Sequence, residues 1–113
     1  MKKVEAIIRP SKLKAVQKGL KEAEIPCVTV LPVKGCGLQT SYSERYRGTE
    51  QSMILQTRIM IICVVSDANL EKCIDTILDN ASDSQVGDGK IFIYDVQDAI
   101  RIRTRTRGKE AIL

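Results

Sequence analysis

The sequence predicts a single α+β domain of about 113 residues in which four strands and two helices alternate as strand, helix, strand, strand, helix, strand. Three observations predict it. Short β-rich apolar runs recur along the chain, two stretches carry apolar residues at helical spacing, and prolines or glycine-containing turns separate them.

Val4 to Ile8 is apolar but for Glu5 and forms the first strand, closed by Arg9-Pro10. Ser11 is a suitable cap for a helix in which Leu13, Val16, Leu20 and Ala23 share a face. That helix must stop before Pro26, because the residue ahead of a proline avoids the helical region. Cys27 to Val33 is a β-branched, apolar second strand, and Pro32 marks it as irregular or edge-like. Residues 37 to 55 then lose all periodicity, which in so compact a domain points to a functional loop. Ile59 to Val65 is apolar enough to lie centrally in a sheet. Asp67 is placed to cap a second helix, whose apolar positions are Leu70, Cys73, Ile74, Ile77, Leu78 and Ala81. A polar turn, Ser82 to Lys90, leads to the last strand, Ile91 to Val96. Two split β-α-β halves of this kind make the ferredoxin-like plan (βαββαβ), an antiparallel sheet with both helices on one face. The other face, crossed by an apolar central strand, must be hidden, so the sequence predicts a homo-oligomer formed through it.

Composition narrows the function. A net charge of +4 admits an acidic ligand but falls short of the basic stripe of a general nucleic-acid binder. The aromatic residues are only Phe92, Tyr42, Tyr46 and Tyr94, and Ile59 to Val65 holds none on which bases could stack, which argues against an RNA-recognition module of the same topology. No apolar stretch follows the basic start Met1-Lys2-Lys3, and Ile59 to Val65 is too short to span a bilayer, so a cytoplasmic, non-embedded protein is expected. The four cysteines lack Cys-x-x-Cys spacing and there is no histidine, which leaves no metal site and no general-base constellation. Glu44 and Glu50 have no nucleophile or histidine to work with. Cys63 and Cys73 fit apolar patterns, and Cys36 beside two glycines is the cysteine placed for reactivity. A binder rather than an enzyme is expected.

The chemistry gathers in two stretches. In Gly87-Asp88-Gly89-Lys90 the glycines can take positive φ and turn successive N–H groups toward an anion, and Lys90 adds a mobile charge. The same residues fit a turn whose glycines serve geometry alone. The motif is not a Walker loop, since Ser84 and Ile91 occupy the outer positions and the loop precedes a strand instead of a helix. Further on, Arg101, Arg103, Arg105 and Arg107 alternate with Ile100, Ile102, Thr104 and Thr106. Extended, such a row points one way, and arginine forks suit phosphate oxygens. Arg101 and Arg103, flanked by isoleucines expected to bury, are the functional pair, and Arg105 and Arg107 read as a solvated tail. The loop residues Tyr42, Glu44, Arg45, Tyr46, Arg47 and Glu50 suit docking on a partner.

Together these stretches resemble the PII signal-transduction family over essentially the whole chain. The resemblance is carried by Lys3-Val4-Glu5-Ala6-Ile7-Ile8-Arg9-Pro10, Val33-Lys34-Gly35-Cys36-Gly37-Leu38-Gln39, Tyr46-Arg47-Gly48, Val86-Gly87-Asp88-Gly89-Lys90-Ile91-Phe92 and Ile100-Arg101-Ile102-Arg103-Thr104. It implies a homotrimer that binds ADP or ATP in clefts between subunits and signals through a long T-loop between the second and third strands, here about residues 37–55. The implied partner is a membrane transporter, such as an ammonium channel, or a metabolic enzyme. The resemblance would place the phosphates on Gly87, Asp88, Gly89 and Lys90, with Arg101 and Arg103 nearby. Gly35, Gly37, Leu38 and Gln39 would line the loop base, and Thr29 and Val64 would lie against the adenine. Magnesium would be possible with ATP, and Gln39 would join its shell only where a complex of magnesium, nucleotide and 2-oxoglutarate forms.

The departures from the family pattern bear on specificity. Gln51 follows Thr49-Glu50 where a modified tyrosine is common, so that modification target is missing. Leu38 stands in place of a basic residue at the terminal phosphate of ATP. Arg58 replaces a lysine that pairs with 2-oxoglutarate, and Ile62 replaces a glutamate. Arginine and lysine are not interchangeable in a tight pocket. The expectation is therefore an adenylate energy sensor with weak or no 2-oxoglutarate response, the alternative being a conventional nitrogen regulator that senses ATP with 2-oxoglutarate.

Overall fold

In the computed structural model, residues 1–36 and 55–113 are described. The chain runs β1 (Lys2–Ile8), a 3₁₀ turn (Pro10–Lys12), α1 (Leu13–Glu22), β2 (Val28–Gly35), β3 (Gln56–Val65), a 3₁₀ turn (Asp67–Asn69), α2 (Leu70–Ala81), β4 (Lys90–Asp95) and a C-terminal 3₁₀ turn (Gly108–Ile112). The strands form one sheet in the order β2-β3-β1-β4, every neighbouring pair antiparallel. This is the ferredoxin-like α+β fold. Pro32 lies on β2, an edge strand, where a missing N–H costs least.

Strand alternation divides the sheet into two faces. Val4, Ala6 and Ile8 of β1 and Ile61, Cys63 and Val65 of β3 point at the helices and are buried. Val16 and Leu20 of α1 and Cys73, Ile77 and Ala81 of α2 complete that core. The helices approach closely at Gly19, where an added Cβ would stand 2.6 Å from Asn80 Nδ2 and 3.0 Å from Thr76 Cγ2. The opposite face carries Thr29, Met60, Ile62, Val64, Phe92 and Tyr94, with no element of the described chain laid across it.

Cys63 and Cys73 are core residues, as their patterns predict. The Cys63 thiol is pushed up by its hydrogen bond with Cys73 and by burial, so it stays protonated and unreactive.

Four local expectations are corrected. Ser11 does not cap α1; it sits inside the Pro10–Lys12 turn, and the helix starts at Leu13 without a side-chain cap. Asp67 likewise lies inside a 3₁₀ turn and caps nothing; its carboxylate accepts from the N-terminal ammonium at 3.0 Å, an attraction that holds its pKa below the usual range. The arginine row is not extended. Residues 102–104 turn, Arg105 has φ 62°, and Ile100 bridges back to Arg107, so the alternation that would align the four side chains is broken. Nor do the flanking isoleucines bury in the single chain: Ile100 is 52% and Ile102 97% exposed.

Candidate functional site

Three segments converge at one end of the sheet. Lys90 opens β4 opposite Ile7, near the end of β1, while Gly35 ends β2 opposite Gln56 at the start of β3. Between them lies a cavity of about 610 Å³, lined by Ile7, Gly35, Cys36, Gln56, Arg58, Val86, Gly87, Gly89, Lys90 and Phe92. That volume is in the range of small-molecule sites, about 300–1,000 Å³. Gly35, Gly87, Gly89 and Lys90, which the sequence singles out, therefore share one cavity. Gly35 and Cys36, which precede residues 37–54 in the chain, and Gln56, which follows them, line its walls.

The loop of residues 82–90 owes its shape to two glycines and one carboxylate. Gly87 and Gly89 have φ of 96° and 103°, a region that side chains rarely enter. Gly89 is also pressed on β1: a Cβ there would sit 1.7 Å from the Ile7 carbonyl oxygen. The Asp88 carboxylate turns into the loop. Its Oδ2 accepts from the N–H groups of Asp83 and Gln85 at 3.0 and 3.1 Å and from the Ser82 hydroxyl at 3.2 Å. Its Oδ1 takes Arg9 Nη1 at 2.7 Å. Partial burial pushes this carboxyl up, but the Gln85 and Asp83 N–H groups, the Ser82 hydroxyl and Arg9 outweigh it, so the group ionises below the usual carboxylate range. Asp88, a predicted ligand residue, thus has its side chain occupied in building the loop. Lys90 is exposed and makes no ion pair among the described residues.

Arg58 lies in the same cavity, held along its own strand by the Thr57 carbonyl at 2.9 Å and Gln56 Oε1 at 2.5 Å. Cys36 is exposed there.

The remaining predicted residues do not join the cavity within one chain. Val64 pairs with Lys3 and Lys90 with Ile7, four positions apart along β1, or about 13 Å at the usual strand rise. Thr29 pairs with Ile62, two strands away from β4. Val96 donates to the Met1 carbonyl at 3.2 Å, so the C-terminal segment departs from the end of the sheet opposite Lys90. There Arg101 Nη2 donates to the carbonyls of Glu110 and Leu113 at 2.8 and 3.0 Å. Arg103 is exposed with no charged partner among the described residues. Gly37, Leu38 and Gln39, with the docking residues Tyr42, Glu44, Arg45, Tyr46, Arg47 and Glu50, lie outside the described residues.

Sequence reasoning missed Arg9 and Phe92 as parts of the site. Arg9 stands out only as the single charge ending an apolar strand; its acidic partners lie 74 and 79 residues away, where no local pattern can show them.

Fold and cavity together define a ferredoxin-like α+β protein with a glycine- and lysine-lined cleft at the root of a long inter-strand segment. The family model described as nitrogen regulatory protein P-II matches residues 1–106. The chain is 42% identical over 112 residues to the nitrogen regulatory protein P-II of Pasteurella multocida, covering 99% of this chain and all of the relative. It is 44% identical, with the same coverage, to the nitrogen regulatory protein P-II of Rhodospirillum rubrum and to nitrogen regulatory protein P-II 1 of Escherichia coli. This chain belongs to the P-II family of regulators. Among its described residues no helix is long and apolar enough to cross a membrane.

Proposed function

We propose that this protein is a non-enzymatic regulator that binds ADP or ATP and uses residues 37–54 to control a partner, a transporter or a metabolic enzyme. One observation carries the reading: the cavity holding Gly87, Gly89 and Lys90 is also walled by Gly35, Cys36 and Gln56, the two roots of that segment. A polyphosphate seated on the glycine loop would touch both roots. Its differential affinity for poses of the segment is the coupling free energy that alters partner binding.

The uncovered sheet face and the divided site support assembly of copies into a trimer of the kind the family resemblance implies. Thr29 and Val64 share that face, and Arg101 and Arg103 leave from the far end of the sheet, so only a neighbouring copy can bring them to the glycine loop. Ile100 and Ile102 would bury in the same step. Among the described residues no group of three His, Cys, Asp or Glu side chains could hold a metal; magnesium would accompany ATP on its phosphate oxygens, with Gln39 joining only in a complex that also holds 2-oxoglutarate.

Isothermal titration calorimetry with ADP, ATP and ATP plus 2-oxoglutarate tests the reading. Binding of ADP and ATP is expected, with little added by 2-oxoglutarate, because Arg58 is already bonded along its strand and Leu38 offers no charge. Absence of both nucleotides' binding at millimolar concentration would overturn it. The relatives' names favour a second reading, in which the protein regulates nitrogen metabolism; the family resemblance would add sensing of ATP together with 2-oxoglutarate. Strong tightening of ATP by 2-oxoglutarate in the same titration would select it.

A further inference from the structure

We infer that Arg9 is a positioning residue, a latch that holds the loop of residues 82–90 in its anion-accepting shape before any ligand arrives. The inference rests on the nucleotide reading above for the identity of the ligand.

Arg9 stands just beyond β1 and reaches across to the loop with both arms of its guanidinium. Nη1 meets Asp88 Oδ1 at 2.7 Å and Asp83 Oδ2 at 3.4 Å, and Nη2 donates to the Val86 carbonyl at 2.8 Å. These bonds bracket Gly87 on either side. Lys12 holds the loop's first part through Asp83 Oδ1 at 2.7 Å, and Gly89 is wedged on the Ile7 carbonyl. The grip needs a planar fork; an ammonium could not serve a carboxylate and a carbonyl in one plane.

The arrangement separates positioning from direct contact. Three of the five N–H groups of Arg9, on both terminal nitrogens, are directed into the loop, so direct contact with a phosphate would compete with the grip. Removing Asp88 would take a negative charge away from a polyanion site and release Arg9. If Arg9 were a phosphate ligand, affinity should hold or rise. If it is a latch, affinity must fall, because the binding-competent loop becomes a minor population and apparent affinity falls with that fraction.

Calorimetry with ADP and with ATP on Arg9→Gln, Asp88→Ala and the double variant, together with hydrogen exchange of the loop amides in nucleotide-free protein, makes the test. Each single variant should weaken both nucleotides equally, by about tenfold if the competent fraction drops to about one-tenth. The double variant should be little worse than either, since the latch is lost once. Arg9→Lys should recover only part of the affinity, and loop amides should exchange faster in every variant. Unchanged or tighter binding by Asp88→Ala, or losses that multiply in the double variant, would overturn the latch. If the parent protein binds no nucleotide, the functional reading falls separately. Unaltered amide exchange in Arg9→Gln still overturns the latch in that case.

Discussion

The loop of residues 82–90 and the segment of residues 96–113 both turn through positive φ and both carry cations, but they differ in how much one chain completes. The loop is pinned from within by Arg9, Lys12 and Asp88, and its lysine remains without an ion pair among the described residues. The C-terminal segment is also tied internally, through Asp98 to Arg107 at 2.9 Å and through Arg101 to the chain end, yet it leaves Ile102 in solvent and Arg103 unpaired among the described residues. One region is held complete within the single chain; the other leaves an isoleucine and an arginine without partners among the described residues. Hydrogen bonds within one chain suffice to set the loop's geometry, but burying Ile102 needs a surface that the described residues do not offer.

The largest effect should come from Gly89→Ala, which forces a side chain into φ 103° and against the Ile7 backbone. Chemical denaturation should show a loss on the order of 3 kcal/mol, and calorimetry a loss of nucleotide binding. A variant as stable as the parent would mean the loop is less closely seated on β1 than described.

A second comparison sets Lys90→Ala beside Arg103→Ala. A charge-assisted hydrogen bond is worth about 1.5–3 kcal/mol, so either change should weaken ADP by about tenfold or more while leaving the melting temperature nearly unchanged. Oligomers made wholly of either variant should hold no intact cleft. Mixed oligomers of Lys90→Ala and Arg103→Ala chains should instead regain intact clefts where a parental loop faces a parental arm. Failure of mixtures to recover any binding would place both residues on the same copy's site.

The smallest effect concerns acid. Asp88 ionises below the ordinary range for the reasons given above. Asp98 does so through the Ala99 N–H at 2.8 Å, then Arg107, with the Gly108 N–H adding to it. For a carboxylate whose folded pKa is depressed, the stabilisation is present above the unfolded value of about 3.9 and is lost as pH falls through the lower folded value. With no histidine in the chain, stability should change little between about pH 5 and 7 and decline only below about pH 4. A transition near pH 6, followed by circular dichroism, would contradict this account of both regions.

Much of this was legible in the residues. Period-two and helical patterns located all four strands and both helices, within one to three residues at the strand ends, because burial on one face imposes those periods directly. Gly87, Gly89 and Lys90 stood out because positive φ and a mobile charge are uncommon needs. The errors have a shared cause. Ser11 and Asp67 are good cap residues by type, but each fell inside a 3₁₀ turn, and Asp67 found the chain's own N-terminus. Ile102 reads as core by type and is the most exposed large apolar residue described.

By itself, the sequence determined the βαββαβ order, the buried face of each element and the chemical character of the glycine loop, since these depend on periodicity and on residue type within a few positions. Only the tertiary structure decided that Arg9 grips Asp88 across 79 residues, that Asp88 faces inward, and that Gly35 and Gln56 meet Lys90 around one cavity. It also decided that Arg101 and Arg103 start from the opposite end of the sheet. Strand order and register set those distances, and both arise from contacts between segments far apart in the chain, which no local pattern encodes.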